Sequence, residues 1–183
     1  MVEYVQSNET ETKMQPFNKR YYHNLREIIK DTKIIFSQRE KIKQVMRNGP
    51  ISDSFRERIM LTVTEVNGCR YCQYAHAKMA INAGLNASEI EFLADGVFHH
   101  CPPEEVPALL YAQHWAEADG NPEHQTREEV VKIYGEDVIN AMELAMRMIR
   151  MGNLMGNTWD YILYRVSFGR WGKEDLEQVE IKK

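Results

Sequence analysis

Apolar residues recur at three- and four-residue intervals through most of this chain, and no segment alternates convincingly with period two. From Asn18 to Asn48 the run is carried by Tyr22, Leu25, Ile28 and Ile29, then Ile34, Ile35, Ile42 and Val45, and Gly49 and Pro50 end it. A second helix is expected from Ser52–Ser54 through Ile59, Val63 and Val66 to Asn67 and Gly68, residues that tolerate a left-handed helix end. A third opens at Cys69 and Cys72 and continues through Ala75, Met79 and Ala80 to Ala83 and Gly84. Asn86 to Glu89 reads as a fresh N-terminus ahead of Ile90, Phe92 and Leu93. His99 to Pro103 is a loop, because consecutive prolines cannot continue a helix. Further helices are expected from about Glu104 to Ala118, from Thr126 to Tyr134, and from Glu136 to about Phe168, with the DGNPEH turn between the first two. The predicted fold is all-α, a helical bundle with the cysteines at the N-terminus of a central helix.

At 183 residues the chain is long enough for one sizeable core. Residues 1–17 are polar and without apolar period, so they are expected to form a flexible tail, 18–172 a single domain, and 173–183 a polar C-terminal tail. The 23 basic and 27 acidic residues give a formal charge of -4, with no cluster of Lys or Arg beside aromatics, so nucleic acid is not an expected partner. Neither a signal-like apolar run at the start nor an apolar stretch of eighteen residues is present, which predicts a cytoplasmic protein with no membrane partner.

Three cysteines, two of them in one CXXC, do not form the framework of a small secreted domain. In a reducing compartment a CXXC is catalytic or metal-binding more often than structural. If Cys69 and Cys72 open a helix they share one face, with His76 one turn further along it. A base there can take a thiol proton, and the thiolate is the species that attacks a peroxide or a disulfide. Glu57 lies about 16 Å before the Gly68 turn and His76 about 12 Å after it, at roughly 1.5 Å per residue. In a helical hairpin Glu57 therefore comes closer to His76 than to Cys69, and can orient the imidazole.

Each residue also has a plainer reading. Ser54 and Glu57 fit a capping box, and His76 can be an ordinary satisfied histidine. A zinc site could use Cys69, Cys72 and His76 with His99, His100 or Cys101, although a second CXXC is missing, and that loop is most simply polar surface. The helix N-terminus and Arg70 favour charge on Cys69, whereas His76 favours Cys72. Cys72 is preferred as the attacking thiol, because a base also transfers protons. The Met142, Met146, Met148, Met151 and Met155 series suits a core or a subunit interface, and Gly152 and Gly156 would admit a close helix.

With Glu57, eleven residues, Cys69 and Cys72 in CXXC spacing, three residues and His76, the chain resembles the carboxymuconolactone decarboxylase family in its alkylhydroperoxidase D-like branch. The LLYAQHWAE stretch at 109–117 and residues 134–162 resemble that family's last helices, so the likeness spans roughly 45–165. The resemblance implies an all-α trimer or hexamer that reduces organic hydroperoxides or disulfides. It makes Cys72 peroxidatic, Cys69 resolving, and His76 and Glu57 the proton relay. It requires no cofactor or metal, and an external dithiol or redox protein would be the reductant. The best-studied peroxidase form has a histidine where this chain has Tyr71; a phenol with pKa near 10 is a poor base, which favours disulfide exchange. The alternatives are a lactone decarboxylase, an activity of members that generally lack the cysteine pair, and a non-redox zinc protein.

Overall fold

The computed structural model describes residues 16–173, in which eight α-helices and no strand are found. They are α1 Leu25–Ser37, α2 Arg39–Asn48, α3 Asp53–Asn67, α4 Arg70–Asn82, α5 Ala87–Ala94, α6 Val106–Glu117, α7 His124–Tyr134 and α8 Glu136–Val166. The expected 18–48 run is thus two helices, broken at Gln38, and the later boundaries fall within about two residues of those read from periodicity. Most of the two expected tails lies outside the described residues. Phe17 is described, and its ring packs at 5.4–5.5 Å from those of Tyr21, Tyr161 and Tyr164.

Helix α3 is the hub, packing against α4, α5, α6 and α8. Ile59, Leu61 and Val63 are wholly buried on it. Because neighbours surround it, its polar residues are buried too: Arg56, Glu57, Arg58, Thr62, Thr64 and Asn67. Burial of charge on this scale is tolerated only with partners. Arg58 supplies one set, donating from Nε to Glu89 at 2.5 Å and from a terminal nitrogen to Glu105 at 3.0 Å.

Ser52 caps α3, its Oγ accepting from Phe55 N at 3.1 Å. Gly68 ends it with φ 68°, its N–H donating to the carbonyls of Thr64 and Glu65. A residue with a Cβ would be strained there by about 1–2 kcal/mol. That turn reverses the chain, so α4 runs back along α3, and α8 crosses both.

The 31-residue α8 carries the other half of the core. Ile139, Met142, Ala145 and Met146 are fully buried, as is Trp115 of α6, so the methionine series is core at its start, while Met155 further along is exposed. Helix α1 buries no residue completely, and Leu25, Ile29 and Phe36 are exposed despite their apolar spacing. Periodicity located the helix but not a covered face for it within one chain. No helix among the described residues is long and apolar enough to cross a membrane.

Candidate functional site

Cys69 is the N-cap of α4, with extended backbone at φ -94° and ψ 99°, and its Sγ accepts from Cys72 N at 3.4 Å. The two sulfurs lie 2.9 Å apart as free thiols. A disulfide needs about 2.05 Å, so closure requires less than about 1 Å of movement. Cys69 is buried and Cys72 half-buried, which makes Cys72 the more accessible residue of the pair.

The close approach is made possible by α8. A Cβ on Gly156 would stand 2.9 Å from Cys69 Sγ and 3.3 Å from Tyr71 Cδ2, and one on Gly152 would stand 3.9 Å from Cys72 Sγ. Each glycine costs the middle of a helix about 1 kcal/mol relative to alanine. In return α8 presents bare backbone to the thiols. The close approach read from Gly152 and Gly156 is therefore made by the cysteine turn of the same chain.

Between and beyond these glycines α8 carries Asn153, Asn157 and Asp160, all fully buried. Asn153 donates to Thr64 Oγ1 and accepts from Asn67 Nδ2, both at 3.1 Å. Asn157 donates to the Asn67 carbonyl at 2.7 Å and the Arg20 carbonyl at 2.8 Å. Asp160 accepts from Lys19 at 2.9 Å, Arg70 at 2.7 Å and the Tyr71 hydroxyl at 2.8 Å. Tyr71 is thus tied to a carboxylate at its hydroxyl, and its pKa is raised, by burial first and by Asp160. None of these α8 residues was singled out from sequence. The one available signal was a repeat of small and amide side chains, Gly-Asn at 152–153 and again at 156–157, on an otherwise apolar helix.

On the other side of the pair, Glu57 and His76 meet. Glu57 Oε2 lies 2.7 Å from His76 Nδ1, and Glu57 Oε1 lies 3.7 Å from Arg56 Nε. A carboxylate can only accept, so in this contact Nδ1 carries the hydrogen and Nε2 is left as the basic nitrogen. Glu57 is 2% exposed, and it is Ser52, not Ser54, that caps α3. Of the two readings of Glu57, the contact with His76 is the one found. His76 sits one turn beyond Cys72, but no hydrogen bond joins it to either sulfur among the described residues.

The electrostatics of the pair are lopsided. Cys69 is pulled down to about 6, first by the hydrogen bond from the Cys72 thiol and then, against the cost of burial, by Cys72 N–H, Asn153 and Tyr71 N–H. Cys72 is pushed up, first by its hydrogen bond to Cys69 and then by burial and the neighbouring charge. Either thiol can donate across the 2.9 Å gap, but the charge rests on Cys69 because backbone N–H groups of the first helical turn point at that sulfur.

His99, His100 and Cys101 do not join this site as a set. On the surface His100 stacks on Phe92 at 4.1 Å between ring centroids, and His99 lies tilted against the same ring at 4.6 Å. Cys101 is buried near Arg58, Glu89 and Glu105, so the loop is polar surface for only two of its three residues. Among the described residues no three His, Cys, Asp or Glu side chains converge in a way that could hold a metal ion.

The model of the carboxymuconolactone decarboxylase family matches residues 38–118. Those residues belong to that family. The alkylhydroperoxidase D-like branch is part of it, as are decarboxylases. The matched segment holds Glu57, Cys69, Cys72 and His76, and it stops before α8, so the family match does not extend to the glycines and amides that enclose the thiols. No curated protein matches the chain.

Proposed function

We propose that the chain is a thiol-dependent oxidoreductase of the alkylhydroperoxidase D-like kind, reducing organic hydroperoxides or disulfides through Cys69 and Cys72. The observation that carries this reading is the pair of free thiols at 2.9 Å, at a helix N-terminus, one turn from a histidine held by a buried glutamate. A structural cysteine pair has no use for a depressed thiol or a positioned base.

The more accessible cysteine is the attacking one. Cys72 thiolate attacks the terminal oxygen of the hydroperoxide, the O–O bond breaks, and the alkoxide leaves with a proton. His76, one turn beyond Cys72, is the candidate to carry that proton at Nε2, with Glu57 as a positioning residue that fixes the ring and stabilises its charged form. Cys72 becomes a sulfenic acid, Cys69 attacks its sulfur, water leaves, and a disulfide forms. An external dithiol then returns two electrons and two protons. With a disulfide acceptor the same thiolate attacks sulfur and the first product is a mixed disulfide. Tyr71, engaged with Asp160, offers no second base, which favours disulfide acceptors over peroxides.

The exposed face of α8, Met155, Trp159, Ile162 and Val166, recurs at helical spacing and is large for a solvated surface. It suits a homo-oligomeric interface, as do the exposed apolar residues of α1.

The test is a thiol count on reduced, metal-free protein before and after one equivalent of an organic hydroperoxide or a small disulfide, with mass spectrometry to place the bond. Loss of two thiols as a Cys69–Cys72 disulfide supports the proposal. Thiols that stay free with every acceptor overturn it. Carbon dioxide released from a lactone by protein lacking both cysteines would assign the site to decarboxylation instead.

A further inference from the structure

The two residues between the cysteines, Arg70 and Tyr71, are both tied to one side chain across the fold. Asp160 Oδ1 accepts from Arg70 Nη2 at 2.7 Å and from the Tyr71 hydroxyl at 2.8 Å, and the same Arg70 nitrogen donates to the Tyr71 oxygen at 2.9 Å. The three groups close a triangle on the helical turn that carries Cys69 and Cys72. Asp160 is fully buried, and Lys19 donates to its Oδ2 at 2.9 Å. A buried carboxylate that loses a partner is strongly disfavoured, so the tie resists opening.

Gly152, Gly156 and Asp160 recur every four residues and share one face of α8. The two glycines let the cysteine turn lie against bare backbone, with Tyr71 Cδ2 at 3.3 Å from where a Gly156 Cβ would stand. One turn further along, the carboxylate meets the phenol hydroxyl. The same face therefore admits the turn closely and then fixes it at its two middle residues. A plainer purpose for Asp160 would be to tether the chain ahead of α1 through Lys19. That segment has other anchors on α8: the Tyr22 N–H donates to Thr158 Oγ1 at 3.1 Å, and the Arg20 carbonyl accepts from Asn157 at 2.8 Å.

We propose that Asp160 is a positioning residue for the thiol pair: by gripping both residues between the cysteines it holds the two sulfurs at the distance from which they close. The inference rests on the thiol-dependent reading and deepens it. With the turn fixed, closing the 2.9 Å gap orders little that is not already ordered, so the disulfide is more stable than on a turn free to move.

The experiment is the equilibrium of the full chain with glutathione, read by alkylation and mass spectrometry, for wild type, Tyr71→Phe, Asp160→Leu, the double variant and Tyr111→Phe. Closure passes two electrons and two protons from Cys69 and Cys72 to glutathione disulfide, which leaves as two glutathione thiols. Tyr71→Phe removes one bond of the grip without changing any charge. It should lower the closure constant by between about threefold and tenfold, tenfold being about 30 mV for a two-electron couple. Asp160→Leu also changes the charge beside the thiols, so it is read through the double variant, in which loss of the hydroxyl should have no further effect. Tyr111→Phe, on α6, removes a hydroxyl bond of the same kind, to Glu143 at 2.7 Å, and should leave the constant in place. An unchanged constant in Tyr71→Phe, an equal fall in Tyr111→Phe, or an undiminished effect of Tyr71→Phe on the Asp160→Leu background overturns the proposal. If Asp160→Leu does not fold, the first two comparisons decide. In each of these failures wild type still closes, whereas Cys69 and Cys72 that stay free in wild type overturn the oxidoreductase reading, and this inference with it.

Discussion

Cys69 and Cys101 are almost equally buried, at 1% and 6% exposure, and their thiols are driven in opposite directions. Cys101 is pushed up to about 11, first by burial and then by the charge of Glu89. Cys69 is pulled down to about 6 because hydrogen bonds to its sulfur outweigh the same burial. Burial alone therefore says nothing about whether a cysteine is reactive. The sign is set by whether donors point at the sulfur: at Cys69 those at the start of α4 outweigh burial, whereas at Cys101 burial and the charges of Glu89 and Glu105 outweigh Arg58.

The sharpest way to break the contrast is to remove the chief donor. Cys72→Ala should abolish disulfide formation outright and let Cys69 climb from about 6 toward an ordinary thiol value of about 8.5. Alkylation rate against pH, with the modified residue mapped by mass spectrometry, reads both effects. In wild type the same experiment at neutral pH should label the CXXC pair and leave Cys101 unlabelled until the protein is unfolded. Rapid labelling of folded Cys101 would end the comparison.

Next in size is the relay. His76→Gln should slow reduction of a hydroperoxide by about 10²-fold, the ordinary contribution of a general acid–base group. Glu57→Gln keeps an acceptor for Nδ1–H and should cost less, while Glu57→Ala leaves the imidazole nitrogen unpaired and should also destabilise the fold by about 1–3 kcal/mol. Kinetics and urea melts on the three variants separate the chemical from the structural loss.

A smaller effect is expected at Gly156→Ala. The new methyl gains about 1 kcal/mol of helix propensity but meets Cys69 Sγ at 2.9 Å, and overpacking costs typically 1–3 kcal/mol. The melting temperature should fall or hold, and disulfide closure should slow. Gly152→Ala, whose methyl lies 3.9 Å from Cys72 Sγ, should be tolerated, so the pair forms an internal control.

The gentlest test is the pH dependence of stability in the reduced protein. Cys69 has a folded pKa below its unfolded value, so its contribution is fully present above about 8.5 and is lost as pH falls through 6. Cys101 has a raised folded pKa, so its contribution is present below about 8.5 and is lost as pH rises through 11. Cys72, raised as well, acts with Cys101. Reduced wild type should therefore gain stability relative to Cys69→Ala between pH 6 and 8.5. Relative to Cys101→Ala it should lose stability above that window. Urea melts across the range give both slopes, and a flat first slope would show that Cys69 is not depressed.

Much of this molecule was legible along the chain, and for a local reason. Helix periodicity, the Gly68 stop, the Asn86 cap and the register of Cys69, Cys72 and His76 depend on neighbours within about four residues, where geometry is fixed by the backbone. The approach of Glu57 to His76 followed as well, because a short turn between two helices leaves one way to pair them. What the sequence could not settle came from contacts across eighty or more positions. The use of Gly152 and Gly156 against the thiols, and of Asn153 against Asn67 and Thr64, was decided only when α8 packed across α3 and α4. The lowering of the Cys69 thiol is mostly local, since its main donors are the Cys72 thiol and the N–H groups of Cys72 and Tyr71, with Asn153 contributing from α8. Sequence placed the two thiols and their nearest donors on one turn; tertiary structure laid the bare backbone of α8 against them, because only packing brings residues eighty positions apart into contact.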